Sequence, residues 1–174
     1  INCLAYKNGF LHRPVVNHYA GILKNQLSKK FADLKFAESK TQFISTVDID
    51  NAYAYTGKGI VRTTAALTRS LIEGNFNDLK KRTSTVFGKS GDPFDTYHYY
   101  FQLQEKYGFK SIFFFLVGNL AKFDRNLPHT SKQYLELIKQ ISFKADIGLH
   151  PSYSSSASFS QLKIEKDRLE NSSG

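Results

Sequence analysis

The sequence contains no methionine, no tryptophan and a single cysteine, Cys3, among its 174 residues. One cysteine excludes a fold held together by intramolecular disulfide bonds. No apolar run is long enough to span a bilayer, and residues 112–117 have the length of a buried strand. No signal peptide is visible, so we expect a cytoplasmic protein. The first residue is Ile, as expected if the N-terminus is incomplete.

Acidic residues are also in short supply, with 15 Asp and Glu against 24 Lys and Arg and a formal net charge of +9. The lysines are scattered along the chain, and no dense basic block or nucleic-acid-binding motif is present. We therefore expect no nucleic-acid partner and interpret the charge as a solvated surface, with affinity for anionic glycans left open. The hydrophobic content of 41% is typical of a globular domain with a core.

Hydrophobic patterning predicts three strands that alternate with helices. The predicted strands are residues 43–49, 110–117 and 145–149. The predicted helices are one that opens at Pro14, followed by residues 60–73, 75–87, 93–107, 130–141 and 158–169. The second strand shows no polar alternation, so we expect both of its faces to be covered. This order predicts an α/β fold with parallel strands and right-handed crossovers.

Local signals predict where several helices begin and end. Asp92 has the features of an N-cap, with Pro93 as the first helical residue, and Thr130 is the expected N-cap of a later helix. We expect the Tyr and Phe residues of 97–101 to pack in the core because their spacing is helical. Residues 171–174 are expected to form a frayed end.

Polar residues stand at the end of each predicted strand. Asp48 and Asp50 end the first strand, Asn119 follows the second and His150 follows the third. Reactive groups of parallel α/β folds lie at the C-terminal ends of the strands, so we expect these residues to share one shallow mouth. Carboxylate and imidazole suit Zn²⁺ or another divalent ion, and a second carboxylate can accept a proton from water. An Asp-Asn turn and a locally bonded histidine are the structural alternatives.

Two of these stretches resemble motifs of the polysaccharide deacetylase (NodB-homology) superfamily, of the carbohydrate esterase family 4 type. Residues 46–50, Thr-Val-Asp-Ile-Asp, resemble the opening Thr-Phe-Asp-Asp strand, and residues 147–150 resemble the lead-in to the His-Ser-x-x-His motif. Residues 46–53, 92–95, 113–116 and 148–153 together resemble a deacetylase-like subfamily of bacterial surface-polysaccharide loci.

The resemblance implies a role for each of these residues. Asp48 falls at the position of the catalytic base, Asp50 stands in for the metal-binding aspartate, and His150 is the first metal histidine. The family's second metal histidine would be at Ser154. The implied cofactor is a divalent metal, with Zn expected. The candidate residues for contacting substrate or for supporting the ligands are Asn51, Tyr53, Asn119, Ser152, Tyr153 and Ser154.

The resemblance also implies a domain organisation. Residues 1–40 would form an N-terminal helical segment and residues 41–174 the N-terminal part of a deacetylase-like (β/α) barrel. A barrel of this kind needs about 200 residues or more, and the family's later motifs have no counterpart in this sequence. We therefore interpret the sequence as part of a longer protein, truncated after its last helix. Self-association is expected if an open sheet edge is exposed.

The implied activity is metal-dependent hydrolysis of N-acetyl groups on a carbohydrate. The alternative is a non-catalytic carbohydrate-binding or assembly module with the same fold, which Ser154 and the incomplete barrel favour. An Asp-x-Asp glycosyltransferase is less favoured, because residues 1–42 are mostly one helix instead of a nucleotide-binding half. A phosphotransferase is disfavoured because residues 51–53 do not match its motif. We expect no membrane-spanning segment.

Overall fold

The computed structural model describes residues 3–37 and 41–174, which fall into two compact units, Ile1–Gln42 and Phe43–Gly174. The described part of the first unit contains helices α1 (Leu4–Lys7) and α2 (Val15–Lys30). Pro14 precedes α2. Proline has no backbone N–H, but an N–H at the start of a helix has no intrahelical acceptor, so no hydrogen bond is lost there. No residue of α2 is buried, so its apolar residues do not form a core with the rest of this unit.

The second unit is built on a parallel sheet of three strands among the described residues. They are β1 (Ile44–Ile49), β2 (Lys110–Phe115) and β3 (Asp146–Leu149), in the spatial order β1-β2-β3. Ile49 lies opposite Phe115, and Phe115 lies opposite Leu149, so the three strands end at the same edge. The predicted α/β fold with parallel strands is confirmed.

Helices connect and follow these strands. They are α3 (Ile60–Ile72), α4 (Phe76–Val86), α5 (Tyr97–Tyr107), α6 (Lys132–Ser142), a short 3₁₀ helix (Ser154–Ala157) and α7 (Phe159–Ser173). Asn75 caps α4 by accepting a hydrogen bond from the Asp78 N–H at 3.0 Å, and α5 ends at Gly108, whose φ is 67°. In the described part of the chain, no helix is both long and apolar enough to cross a membrane.

The core lies on one face of the sheet. Ile49, Phe113 and Phe115 are buried there against residues of α6 and Leu169 of α7. Side chains alternate along a strand, so Asp48 and Phe114 point to the opposite face, where Asp48 is exposed and Phe114 is half-buried. Of the two faces of β2 that were predicted to be covered, one is therefore buried and the other only half-buried.

Asp92 is not the N-cap that was predicted from the sequence. α5 begins at Tyr97, and the Asp92 carboxylate instead accepts hydrogen bonds from the backbone N–H groups of Ala54, Tyr55 and Thr56 at 2.8, 2.8 and 3.1 Å. The Phe94 N–H also donates to this carboxylate at 3.0 Å, so Asp92 makes one local hydrogen bond of the predicted kind together with three to a distant loop.

Two other helix boundaries also differ from prediction. α6 follows Ser131, one residue after the predicted N-cap Thr130. α7 continues through the residues expected to fray, and the Ser142 hydroxyl donates to the carbonyl of Ser173 at 3.3 Å. Phe159 occupies the first helical position of α7 and is 82% exposed.

Replacement of Gly148 by alanine tests the packing of the less covered face. A Cβ at this position would lie 2.5 Å from Cε1 of Phe114, which crosses over β3. We expect Gly148→Ala to lower the free energy of unfolding by about 1–3 kcal/mol, because the ring must leave its position. Urea denaturation measures the change. Gly91→Ala is the matched control, because no atom lies within 4 Å of its added Cβ, and equal stability of the two variants would contradict this packing.

Candidate functional site

Asp50 and His150 meet at the C-terminal edge of the sheet. Asp50 Oδ1 lies 3.3 Å from His150 Nε2, although the two residues follow β1 and β3, which are separated by β2. The hydrogen-bond ladder extends one step past the strands, through His150 N–H to Phe115 O at 3.0 Å and Leu116 N–H to Ile49 O at 3.4 Å. The parallel register therefore holds the two side chains across the end of β2.

The other nitrogen of His150 restricts which protonation states are favourable. Nδ1 lies 3.2 Å from the carbonyl oxygen of Pro151, and because a carbonyl can only accept, Nδ1 carries a proton in this contact. Nε2 then faces the Asp50 carboxylate with either a lone pair or a second proton. A lone pair and a carboxylate repel each other unless a cation lies between them, whereas a protonated imidazole forms an ion pair. The pair is thus suited to hold a proton or a cation.

Asp48 lies near the end of β1, and Asp50 follows the strand, with Ile49 between them. Ile49 is buried in the core, whereas Asp48 is exposed on the opposite face of the sheet. This alternation anchors β1 through its apolar residue and leaves the Asp48 carboxylate accessible. A carboxylate in this position is available to a ligand that approaches the open face.

The donor set around the pair contains few strong ligands. In residues 3–37 and 41–174, no group of three or more His, Cys, Asp or Glu side chains is close enough to hold a metal ion. Ser154, at the position of the family's second histidine, hydrogen-bonds through its hydroxyl to that of Ser152 at 2.9 Å. A divalent ion at this edge would therefore have Asp50 and His150 as its protein side-chain ligands.

The residues that flank the pair differ in accessibility. Asn51 is half-buried, and its Oδ1 is a buried acceptor that has no hydrogen-bond partner among the described residues. Such an orphaned acceptor costs about 1–3 kcal/mol and marks a place where a ligand group or water can bind. Asn119 is exposed beyond the end of β2, and the structure shows no contact that brings it to the pair.

Ser152 is placed inside the protein and not on a substrate-binding surface. It is 2% exposed, and its N–H and hydroxyl donate to the Glu165 carboxylate at 3.0 and 2.5 Å. Gln161 donates to the same carboxylate at 3.0 Å. These hydrogen bonds fix the segment that follows His150.

The electrostatics of Glu165 follow from this arrangement. Burial alone would raise its pKa, but the hydrogen bonds from the Ser152 hydroxyl and N–H and from Gln161 outweigh burial, and the pKa lies below its ordinary value of 4.5. The carboxylate is therefore ionised at neutral pH although Glu165 is fully buried. Gly118 allows the close approach, because a Cβ there would lie 2.6 Å from Cβ of Ser152.

Tyr153 is the exposed residue of the segment after β3. Its N–H donates to both oxygens of the buried Asp124 at 3.0 and 3.1 Å, which fixes the backbone. Its ring is 64% exposed and lies 4.5 Å from the ring of Phe123, centroid to centroid. The two rings offer an aromatic surface on the outside of the protein.

Tyr53 lies in a separate cleft of about 210 Å³ between the loop after β1 and α6. Burial, followed by the charges of Asp95, Asp92 and Glu136, raises its pKa to about 12. Its ring packs edge-on against Tyr97, with 6.3 Å between centroids. Neither Asp50 nor His150 lines this cleft, so the structure does not bring Tyr53 together with the pair.

Two structural residues of this region were missed in the sequence. Glu165 lies in a helix rich in Lys, Asp and Glu, where one buried acid has no distinguishing pattern. Asn126 is 1% exposed, and its side-chain amide donates to the carbonyls of Leu116 and Gly118 at 2.9 and 2.8 Å. Asparagine is common in loops, so the presence of Asn126 in this loop did not indicate a structural role.

No protein-family model, curated protein or solved structure matches this chain. The relationship to the deacetylase superfamily therefore stays a prediction made from short motifs. The function has to be argued from the chemistry of the Asp50–His150 pair and the residues around it.

Replacement of Glu165 by glutamine tests the anchoring of the His150 segment. The amide cannot accept all three hydrogen bonds, so we expect Glu165→Gln to lower the free energy of unfolding by about 2–4 kcal/mol at pH 7. Because the folded-state pKa is lowered, this stabilisation is complete above the unfolded value of 4.5 and is lost as pH falls through the folded value. Urea denaturation between pH 7 and pH 3 measures both effects.

Asp167→Asn provides the control, since it removes an exposed carboxylate from the same helix. Its effect is expected to stay within about 0.5 kcal/mol. A stability difference between Glu165→Gln and the wild type that does not shrink in acid would show that the ionised carboxylate is not the stabilising group.

Proposed function

We propose that this chain is part of a metal-dependent carbohydrate deacetylase, which hydrolyses N-acetyl groups on a sugar. The observation that carries the proposal is the 3.3 Å contact between Asp50 and His150 at the C-terminal edge of the parallel sheet. The exposed carboxylate of Asp48 near the end of β1 supports it, because this chemistry needs a base beside the metal ligands. On this proposal, Phe43–Gly174 supplies the first strands of a (β/α) barrel.

The residues of the pair have the chemistry of a metal site. The histidine that ligates a metal commonly donates its second ring N–H to a carbonyl, and His150 does so with Pro151. With Nδ1 protonated, Nε2 is the nitrogen available to an ion, and it faces an oxygen of Asp50. A divalent ion held there, with Zn²⁺ as the expected choice, would supply Lewis acidity toward the acetamide carbonyl and toward water.

The chain's own residues account for the proton transfer. Asp48 takes a proton from a water molecule, whose oxygen then attacks the carbonyl carbon of the acetamide. The carbon–nitrogen bond breaks, and the proton is returned to the amine nitrogen, which yields acetate and the free amino sugar. On this proposal the sugar lies beside the exposed carboxylate of Asp48. The hydrogen bonds of Ser152 to Glu165 hold the backbone segment that follows His150.

A non-catalytic carbohydrate-binding module is the second candidate. It is favoured by the small number of ligands, since Ser154 replaces the second histidine and bonds to Ser152 instead. A module of this kind would bind an N-acetylated sugar through the exposed rings of Tyr153 and Phe123 without releasing acetate. The two candidates therefore differ in the release of acetate.

Titration of the untagged chain with Zn²⁺ by calorimetry tests the metal site. We expect one ion per chain, and we expect Asp50→Ala and His150→Ala each to weaken binding by more than about tenfold, since each removes a ligand. Acidification is expected to weaken binding as well, because the ion competes with a proton for Nε2.

Asp146→Ala is the matched control for these variants. Asp146 is an exposed acid at the opposite end of β3, so its removal should leave Zn²⁺ binding unchanged. Equal binding by the wild type and Asp50→Ala would exclude the pair as the metal site.

The role of Asp48 is tested by measuring acetate release from an N-acetylglucosamine oligomer. We expect Asp48→Asn to reduce the rate by roughly 100- to 10,000-fold, because the amide cannot accept the proton. Zn²⁺ affinity should change little, since Asp48 is not one of the two ligands. Binding of the oligomer without acetate release by the wild type would favour the non-catalytic module.

A further inference from the structure

Three cations surround the loop that follows β1. They are Lys58, Arg62 and Arg82, here named the Lys58 cluster, and all three are half-buried. Burial and the charges of Arg62 and Arg82 lower the pKa of Lys58, and the charge of Asp92 opposes that shift. Arg82 is paired with Asp78 at 3.3 Å, so the like charges left to repel each other are those of Lys58 and Arg62, at a cost in free energy that a bound anion would relieve.

The nearby carboxylates are already used within the protein. Asp92 accepts the backbone N–H groups of residues 54–56. Asp78 accepts from Ser70 at 2.6 Å, from Tyr55 at 3.2 Å and from Arg82 at 3.3 Å. In the part of the chain that the structure describes, no salt bridge joins Lys58 or Arg62 to a carboxylate.

The loop that carries Lys58 has little freedom to move its backbone. Gly57 and Gly59 have φ values of 71° and 79°, which favour glycine on both sides of Lys58. A Cβ at Gly57 would lie 3.0 Å from Oε1 of Gln133 and 3.3 Å from Oγ of Ser131, so the loop packs closely against the start of α6. Lys58 is therefore presented by a fixed turn.

Arg62 connects the cluster to the end of the sheet that carries the candidate site. Its Nη1 and Nη2 donate to the carbonyls of Asn126 and Arg125 at 3.0 and 3.4 Å, which uses two of the five guanidinium N–H donors. The Asn126 amide donates in turn to Leu116 O, and Leu116 follows β2 between Asp50 and His150. Among the described residues, the Arg62 side chain makes no hydrogen bond besides these two.

We propose that the Lys58 cluster binds the anionic group of an acidic, N-acetylated saccharide, whose acetamide reaches Asp48, Asp50 and His150. The acetamide half of this inference rests on the proposed function, whereas the anion-binding half is independent of hydrolysis. A guanidinium fork and an ammonium point charge together suit a carboxylate or phosphate oxyanion. The partner is thus an acidic glycan chain or a sugar phosphate instead of a neutral polymer.

The test compares saccharides that share the N-acetyl group and differ in charge. The full 174-residue chain is titrated by calorimetry with a hyaluronan hexasaccharide, which carries carboxylates, and with a neutral N-acetylglucosamine hexamer. N-Acetylglucosamine 6-phosphate against N-acetylglucosamine provides the phosphate arm. We expect at least one acidic ligand to bind about tenfold more tightly than its neutral counterpart.

Variants test which residues cause the preference for acidic saccharides. Lys58→Gln should abolish it, and Arg62→Lys, which retains the charge and loses the fork, should reduce it. Lys110→Gln is the matched control, because Lys110 is an exposed lysine at the opposite end of β2, and the preference should persist. Circular dichroism establishes that each variant is folded. If Lys58→Gln does not fold, Arg62→Lys still tests the inference.

Several results would overturn the inference. These are equal affinity for acidic and neutral ligands, equal loss in Lys58→Gln and Lys110→Gln, or tighter Lys58-dependent binding of a single-stranded oligonucleotide than of either acidic saccharide. Acetate release without charge preference would uphold the proposed function and reject this inference. A preference for acidic ligands that depends on Lys58, without acetate release, would uphold this inference and reject hydrolysis as the proposed function.

Discussion

The geometry of the candidate site depends on the buried carboxylate of Glu165. No salt bridge neutralises it in the described residues, and its oxygens are instead bonded to Ser152 and Gln161. A buried anion is tolerated only when donors surround it. Because Ser152 supplies two of those donors, Glu165 ties α7 to the segment that follows His150. The same carboxylate therefore contributes both to the packing of a helix and to the placement of a site residue.

The other two strand ends are held by the same physical means. The Asp92 carboxylate binds three backbone N–H groups after β1, and the Asn126 amide binds the carbonyls of Leu116 and Gly118 after β2. Each strand end is thus fixed by a side chain that is distant in the sequence and that bonds to backbone groups. The carboxylates of Asp48 and Asp50 do not hold these loops, and both are exposed.

The strands were predicted to within two residues, because runs of apolar and β-branched residues mark buried strands. The meeting of Asp50 with His150 was expected from parallel topology alone, since all C-terminal strand ends share one edge. Partnerships over long sequence distances were not predictable. Asp92 has a local N-cap pattern but binds a loop 36 to 38 residues earlier. The half-buried face of β2 was not predicted because Phe114 is as apolar as its buried neighbours but packs over Gly148 instead of joining the core.

The number of ligands decides what kind of metal site this edge of the sheet can form. Structural zinc sites enclose the ion with four protein ligands, whereas catalytic sites leave at least one position for water or substrate. Asp50 and His150 provide two, so an ion held between them would be open to solvent on more than one side. The fold does not need such an ion, because Glu165, Asn126 and Asp92 already hold the three strand ends through hydrogen bonds. On the proposed function, an ion held there would therefore serve catalysis or substrate binding and not the stability of the fold.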